Sequence, residues 1–250
     1  MELSDRELAS TRSFWKRRQL RDGRRSRLVK VREMNLETVR ADAIEGGLAD
    51  EIVTRLGTGK EADVYLALWK EAPLALKVYR LHRTAQRKNS EIGYSQDRMG
   101  ALAGKEFTTL QKAYRAGVPV PTPARRVDNM FTMRFLGGTA KPPQLKDVEL
   151  EDPTNLASQA LDIGRGLFKT YIVHGDLSEY NLVISDDRLF VIDFPELVDF
   201  SSRVSRRTRI ETPKPLLMRD LRNLERYFAR YQVRIDPASE YERLVSAVQL

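Results

Sequence analysis

The most constraining feature of the sequence is a set of three polar residues at fixed spacing in its second half. Asp176 is followed five residues later by Asn181, and Asp193 comes 12 residues after Asn181. Two short apolar segments between them flank the turn residues 185–187, which predicts a β-hairpin. A carboxylate that accepts a proton, with an amide oxygen and a second carboxylate that bind a hard cation, suits phosphoryl transfer. Two unrelated surface turns are the alternative, because Asp and Asn are common turn residues.

Two features of the first half suit a nucleotide phosphate. Gly57 and Gly59 fall in a turn between two predicted strands, where backbone N–H groups can approach phosphates because no side chain interferes. Lys77 lies 18 residues after Gly59, among apolar neighbours on a third predicted strand. Such a lysine needs a carboxylate that orients it, and Glu106 on the next predicted helix is the candidate. The alternative for the two glycines is an ordinary hairpin turn. The alternative for Lys77 and Glu106 is that both side chains face the solvent.

The order of the predicted elements favours an α+β fold with two lobes. Three closely spaced strands, at residues 52–56, 63–68 and 74–79, are typical of an antiparallel sheet. Residues 82–100 are polar and lack a clear period, so they predict a mobile loop, with a helical part as the alternative. The predicted helices lie mostly in the second half, at residues 36–46, 102–116, 156–171, 216–231 and 237–248. The predicted divisions are a basic arm with a short helix at 1–48, a sheet-rich lobe at 49–138 and a mostly helical lobe at 139–250.

The composition excludes several kinds of site. The chain has no cysteine, which excludes disulfides, thiolate nucleophiles and cysteine-bound zinc. Its two histidines, His82 and His174, argue against a multi-histidine metal site, so any metal should be a hard cation bound by oxygens. The first residues lack the basic start and apolar run of a signal peptide, and no apolar stretch approaches the ~20 residues of a membrane span. We therefore expect a cytoplasmic protein.

Positive charge is concentrated in residues 12–32. This arm holds ten lysines and arginines, Arg12 and Arg32 included, and its charge of +9 exceeds the chain's net charge of +8. Phe14 and Trp15 lie within the arm, and basic side chains beside aromatic rings suit a nucleic acid. A solvated tail is the alternative. A second basic cluster, with no single predicted role, comprises Arg203, Arg206, Arg207 and Arg209.

Three motifs resemble those of one kinase family. The Asp–Asn spacing is that of the protein-kinase catalytic loop, and residues 174–181 (HGDLSEYN) resemble the catalytic loop of RIO-type atypical serine/threonine kinases. Residues 57–65 (GTGKEADVY) resemble the phosphate loop of that family, and residues 192–196 (IDFPE) resemble its metal loop. The similarity runs over about residues 52–231. It implies a bilobal protein-kinase-like fold with a trimmed carboxy-terminal lobe.

The resemblance also implies a role for each matching residue. Lys77 would bind the α- and β-phosphates of ATP, and Glu106 would position it. Asp176 would be the catalytic aspartate, and Asn181 and Asp193 would bind Mg²⁺ or Mn²⁺. Asp193 would also be the residue that is phosphorylated if the chain works mainly as an ATPase. The implied nucleotide-binding residues are Gly57, Thr58, Gly59, Lys60, Val64, Lys77, Glu106, Met133 and Leu136, the last two in a predicted hinge.

Two departures leave the branch of the family open. Glu196 replaces the glutamine usual in the metal loop. Residues 118–121 resemble the branch with an amino-terminal winged helix, whereas residues 177–180 resemble the other branch.

The sequence thus predicts an ATP-dependent serine/threonine protein kinase, which transfers the γ-phosphoryl to a hydroxyl or to water. The resemblance implies a role in maturation of the small ribosomal subunit, with the arm in contact with rRNA. One alternative is a small-molecule phosphotransferase of the aminoglycoside or sugar type, which has a similar catalytic loop. The other is a ribosome-assembly binding module whose ATP site serves as a conformational latch.

Overall fold

The structure, a computed structural model, describes residues 15–19, 28–32, 35–80, 96–138, 140–194, 198–200 and 211–247. These residues fall into two compact units. The first unit is built from the chain up to Lys105 together with Ala124–Thr132, and the second from Glu106–Pro123 together with the chain from Met133 onward. Neither unit is a single continuous stretch. The divisions predicted at residues 48 and 138 stay a prediction.

Two short strands and a helix precede the main sheet of the first unit. β1 (Trp15–Gln19) pairs antiparallel with β2 (Leu28–Arg32). α1 (Leu36–Glu45) begins at a capping box, in which Asn35 Oδ1 accepts from Thr38 N at 2.8 Å and Thr38 Oγ1 accepts from Asn35 N at 2.9 Å. The box satisfies N–H groups that no helical carbonyl reaches, which explains why the helix begins where the sequence predicts.

The main sheet has five strands in the order β3-β4-β5-β7-β6. The strands are β3 (Glu51–Thr58), β4 (Ala62–Trp69), β5 (Ala72–Tyr79), β6 (Pro123–Val127) and β7 (Met130–Arg134). β3, β4 and β5 are consecutive antiparallel neighbours, which confirms the three strands predicted from the sequence. The pairing of β3 with β4 shifts in register between Arg55 and Gly57, immediately before the glycine turn. Such a shift marks a bulge, which increases the local twist.

The core of the first unit fixes the face on which Lys77 lies. Val39 of α1 is buried in one cluster with Ile52, Leu76 and Val78. Successive side chains of a strand point to opposite faces. Lys77, between Leu76 and Val78, therefore lies on the face of β5 opposite this cluster.

α2 (Gln96–Arg115) begins in the first unit and ends in the second. The helical part of the segment predicted as a loop is residues 96–100, which form the start of α2, so the predicted start of this helix at residue 102 is wrong by six residues. Met99 and Ala103 are both buried and lie four residues apart, so the apolar stripe of the helix already begins within the polar segment. Residues 82–95 lie outside the described residues.

The second unit is mostly helical. Its helices are α3 (Pro153–Lys169), α4 (Lys214–Ala229) and α5 (Pro237–Ala247), and its strands are β8 (Ile172–Val173), β9 (Leu182–Ser185), β10 (Arg188–Val191) and β11 (Val198–Asp199). β9 and β10 form the predicted hairpin. Asp186 and Asp187 in its turn have φ values of 50° and 58°, the type I′ geometry that short hairpins favour. None of the helices within the described ranges has the length and apolar character that a membrane span requires.

Candidate active site

The loop that follows β8 brings two of the predicted site residues together. Asn181 Nδ2 donates to Asp176 Oδ2 at 2.9 Å and to the Asp176 carbonyl at 2.8 Å. Because the amide nitrogen is the donor in both bonds, the amide oxygen is the atom of Asn181 that could bind a cation. Gly175, immediately before Asp176, has a φ of 83°, which L side chains rarely adopt. Asp176 and Asn181 are therefore in direct contact, and the roles predicted for them stay predictions.

Asp220 of α4 fixes the backbone on both sides of Asp176. Its Oδ2 accepts from Gly175 N at 2.9 Å, and its Oδ1 accepts from Leu177 N at 2.8 Å. Burial raises the pKa of the Asp220 carboxyl above its usual value, and the nearby His174 and the two backbone donors offset part of this effect. Asp220 thus holds the loop that carries the candidate catalytic group.

The sequence analysis missed Asp220, although the sequence carries a signal for it. Leu217, Leu221 and Leu224 form the buried stripe of α4, and Asp220 falls on the same stripe. A carboxylate on the apolar face of an amphipathic helix must find donors inside the protein. Such a position is a candidate for an internal anchor even when no motif includes it.

His174 is the first residue of the same loop. Its Nδ1 accepts from Asp176 N at 3.2 Å, and its ring lies 5.1 Å, between centroids, from the ring of Phe194. His174 therefore supports the backbone of Asp176 and contacts the residue after Asp193.

Asp193 follows β10 and has a φ of 63°, in the left-handed region. Ile192 N donates to the Asn181 carbonyl at 2.9 Å, so the backbones that carry the two predicted metal ligands are joined. On the other side of Asp193, Phe194 N donates to Glu106 Oε1 at 3.3 Å. Glu106 is buried, so the alternative that it faces the solvent is wrong.

The oxygens of Asn181 and Asp193 suit Mg²⁺, which prefers hard oxygen ligands. Within the described ranges, no group of three or more acidic or histidine side chains could hold a metal ion by itself. Mg²⁺ is commonly bound by one or two carboxylates together with substrate phosphates and water. The donor set therefore fits a cation that arrives with a nucleotide.

The predicted hinge begins at Met133 within β7 and continues to Leu136, two residues after the strand ends. Leu136 is buried, and its carbonyl accepts from Ser185 Oγ at 2.7 Å. Arg134 N donates to the Thr122 carbonyl at 2.8 Å, and Met133 is half-buried. Ser185 was predicted only as a turn residue, and its contact with Leu136 was not foreseen. The adenine contacts of Met133 and Leu136 stay predictions.

In the first unit, Lys77 is buried, and Val64 lies directly opposite it in the register of β4 and β5. The Nζ atom of Lys77 lies 5.5 Å from the centroid of the Tyr79 ring. The solvent-facing alternative for Lys77 is therefore wrong. Glu106 belongs to the second unit, and its predicted pairing with Lys77 stays a prediction.

The glycine turn between β3 and β4 spans residues 59–61. Gly59 lies in this turn as predicted, whereas Gly57 belongs to β3 and pairs with Val64, so its predicted place in the turn is wrong. Gly59 N donates to the Ala62 carbonyl at 2.8 Å, and a Cβ on Gly59 would lie 3.1 Å from the same oxygen. Thr58, Gly59 and Lys60 are exposed. The turn therefore presents accessible backbone of the kind that binds phosphates.

Comparisons with known proteins agree with these motifs. The family model described as the RIO domain matches residues 63–241. The RIO-type serine/threonine-protein kinase Rio1 of Haloferax volcanii is 32% identical over 212 residues, which cover 80% of this chain and 70% of that protein. The RIO-type serine/threonine-protein kinase Rio1 of Thermoplasma acidophilum is 29% identical over 188 residues, which cover 74% of this chain and 95% of that protein.

The solved structures give the same fold. The Rio2 kinase of Chaetomium thermophilum, in its complex with ADP, Mg²⁺ and phosphoaspartate, superposes with a TM-score of 0.70 at 20% identity, over 98% of this chain and 74% of that chain. This similarity confirms the predicted α+β, kinase-like fold. The family match covers most of the chain and includes Lys77, Asp176, Asn181 and Asp193. The chain therefore belongs to the RIO domain family of atypical serine/threonine protein kinases.

Proposed function

We propose that this chain binds ATP with Mg²⁺ and transfers the γ-phosphoryl group to a serine or threonine hydroxyl of a protein, itself included, or to water. The contact between Asn181 and Asp176 carries the proposal, because it places a proton acceptor beside a cation ligand on one anchored loop. In phosphoryl transfer the protein mainly positions the reactants and stabilises charge.

Asp176 is the residue that would orient the attacking hydroxyl and accept its proton. Asn181 Nδ2 holds one carboxylate oxygen in place, and Asp220 holds the backbone. Asn181 and Asp193 would hold Mg²⁺, which neutralises phosphate charge when it is bound. Lys77 would contribute a buried positive charge to the α- and β-phosphates, where the low dielectric strengthens the attraction.

The route through water would use Asp193 as a nucleophile. An oxygen of its carboxylate would form a bond to the γ-phosphorus while the bond to the bridging oxygen of ADP breaks. Water would then cleave the aspartyl-phosphate and release inorganic phosphate. The phosphoaspartate in the Rio2 complex of Chaetomium thermophilum supports this route.

The test combines labelled phosphate with chemical stability. We would incubate the purified chain with γ-labelled ATP and Mg²⁺ and follow both released phosphate and label on protein, for wild type, Asp176→Asn and Asp193→Ala. Asp162→Asn serves as a control, because Asp162 is an exposed aspartate of α3. Label that resists hydroxylamine indicates a phosphorylated hydroxyl, whereas label that hydroxylamine removes indicates an aspartyl-phosphate. Activity that survives both site substitutions would contradict the proposal, and faster transfer to small metabolites than to protein would favour a small-molecule phosphotransferase.

We also propose that the arm at residues 12–32 contacts rRNA during small-subunit maturation in the cytoplasm. The arm carries ten lysines and arginines against one acidic residue, and the phosphates of an RNA backbone would neutralise this charge. Affinity for single-stranded RNA should fall steeply with salt, and Arg17→Ala with Lys30→Ala should reduce both the affinity and its salt dependence. Affinity that does not depend on salt would contradict the proposal.

A further inference from the structure

Arg80, the residue after β5, makes two hydrogen bonds to the glycine turn and an ion pair with Asp63 of β4. Its backbone N donates to the Glu61 carbonyl at 2.8 Å. Its Nη2 donates to the Gly59 carbonyl at 3.1 Å. Its Nε forms an ion pair of 2.7 Å with Asp63 Oδ2. All of these residues belong to the first unit, and none of the motifs singled out from the sequence includes Arg80.

The two side-chain contacts need the planar shape of arginine. Nε and Nη2 lie on one edge of the guanidinium group, so a single side chain can face a carboxylate and a carbonyl at the same time. A lysine ammonium is a point charge and cannot reproduce this fork.

The ion pair is sheltered from solvent. The exposed fractions are 20% for the Arg80 side chain and 11% for the Asp63 side chain. Asp63 Oδ1 is buried and has no hydrogen-bond partner among the described residues. Arg80 is therefore the cation that compensates a buried carboxylate at the start of β4. The position of the guanidinium is fixed more firmly than that of an exposed ion pair.

Besides Arg80, the turn is restrained by the bond from Gly59 N to the Ala62 carbonyl and by the pairing of Thr58 with Asp63 at its base. Thr58, Gly59 and Lys60 are exposed. The register shift between Arg55 and Gly57 interrupts the regular ladder just before the turn. The carbonyl of Gly59 lies at the middle of this segment, and Arg80 holds it there.

We infer that Arg80, held by Asp63, is a positioning residue that fixes the glycine turn in the conformation that receives the phosphates of ATP. The inference rests on the proposed function. Because the carbonyls of Gly59 and Glu61 are engaged by Arg80, they are directed away from incoming phosphate oxygens, which they would repel. The backbone N–H groups of the turn other than that of Gly59, which bonds to the Ala62 carbonyl, are then the groups left for the phosphates.

The test compares nucleotides that differ only in their phosphates. The affinities of ATP, ADP and adenosine would be measured by titration for wild type, Arg80→Lys, Arg80→Ala and Asp63→Asn. Arg125→Ala is the matched control, because Arg125 Nη1 donates to another glycine carbonyl, that of Gly47, at 3.2 Å. We expect Arg80→Lys to weaken ATP and ADP about tenfold, the effect of one charge-assisted hydrogen bond, and to leave adenosine within about twofold.

Amide hydrogen exchange without nucleotide supplies a second readout. Exchange over residues 57–62 should become faster in Arg80→Lys than in wild type, and stay at the wild-type rate in Arg125→Ala. Equal ATP affinity in wild type and Arg80→Lys, or an equal loss of ATP and adenosine affinity, would overturn the inference while leaving the proposed function intact. A wild-type chain that binds neither ATP nor ADP would overturn both.

Discussion

Asp220 accepts a backbone hydrogen bond from Gly175 at 2.9 Å, although 45 residues separate them along the chain. A second bond, from Leu177, gives the same carboxylate control of the backbone on both sides of Asp176. The orientation of the candidate catalytic group is thus set by a residue that need not contact any reactant.

Asp220→Ala should therefore lower both stability and turnover. It leaves two buried N–H groups without an acceptor, at a cost of about 1–3 kcal/mol each, so the free energy of unfolding should fall by about 2–6 kcal/mol. Asp220→Asn keeps one acceptor oxygen and should have a smaller effect. We expect kcat to fall more than KM for ATP changes, which steady-state kinetics and denaturant unfolding would show. A stability loss without any change in kcat would limit Asp220 to a purely structural role.

The hydrogen bond between Ser185 and the Leu136 carbonyl gives a prediction for adenine binding. Ser185→Ala removes the bond to the Leu136 carbonyl, a loss of about 1 kcal/mol, and should weaken adenosine and ATP alike by about fivefold. Ser185→Thr keeps a hydroxyl and serves as the control. Titration with both ligands distinguishes this effect from that of Arg80, which we expect to depend on the phosphates. Unchanged adenosine affinity in Ser185→Ala would remove the predicted hinge from the adenine site.

Two glycines allow a matched test of backbone conformation in the second unit. Gly175→Ala places a side chain at a φ of 83° and should cost about 1–2 kcal/mol and displace Asp176, with loss of turnover. Gly164→Ala lies in α3, and its new Cβ would meet Leu177 Cδ2 at 3.6 Å, an ordinary contact. That variant should gain about 0.5–1 kcal/mol from helix propensity. Thermal unfolding and phosphate release would check both, and equal stability of the two variants would contradict the argument.

Residues within a local motif could be predicted from the sequence, whereas residues that hold distant parts of the backbone could not. The spacing of Asp176 and Asn181 predicted that both belong to one catalytic loop, and the structure adds that their side chains are in contact within this short loop. Asp220 and Arg80 were missed, because their partners are distant in sequence or are backbone carbonyls that carry no residue-specific signal.

The predicted start of α2 was wrong. The periodicity of α2 was overlooked at Met99, because Gly100 and the charged residues around it resemble a loop. The polar composition of this segment indicated a loop, because the apolar stripe of α2 becomes clear only from the buried residues further along the helix.

The start of α5 gives a prediction for pH. Asp236 Oδ2 accepts from Ser239 Oγ at 2.6 Å and Oδ1 accepts from Ala238 N at 3.0 Å, and the bond from Ser239 is the main cause of a pKa below the usual 3.8. A carboxyl whose pKa is lower in the folded state contributes stability above its unfolded pKa and loses it as the pH falls through the folded value. The advantage of wild type over Asp236→Ala in thermal unfolding should therefore be full at pH 7 and shrink below about pH 3.8. Asp236→Asn should keep the cap without this pH dependence, since its amide does not titrate. A difference in thermal unfolding between wild type and Asp236→Ala that stays constant across this pH range would show that the carboxylate charge contributes nothing to the cap.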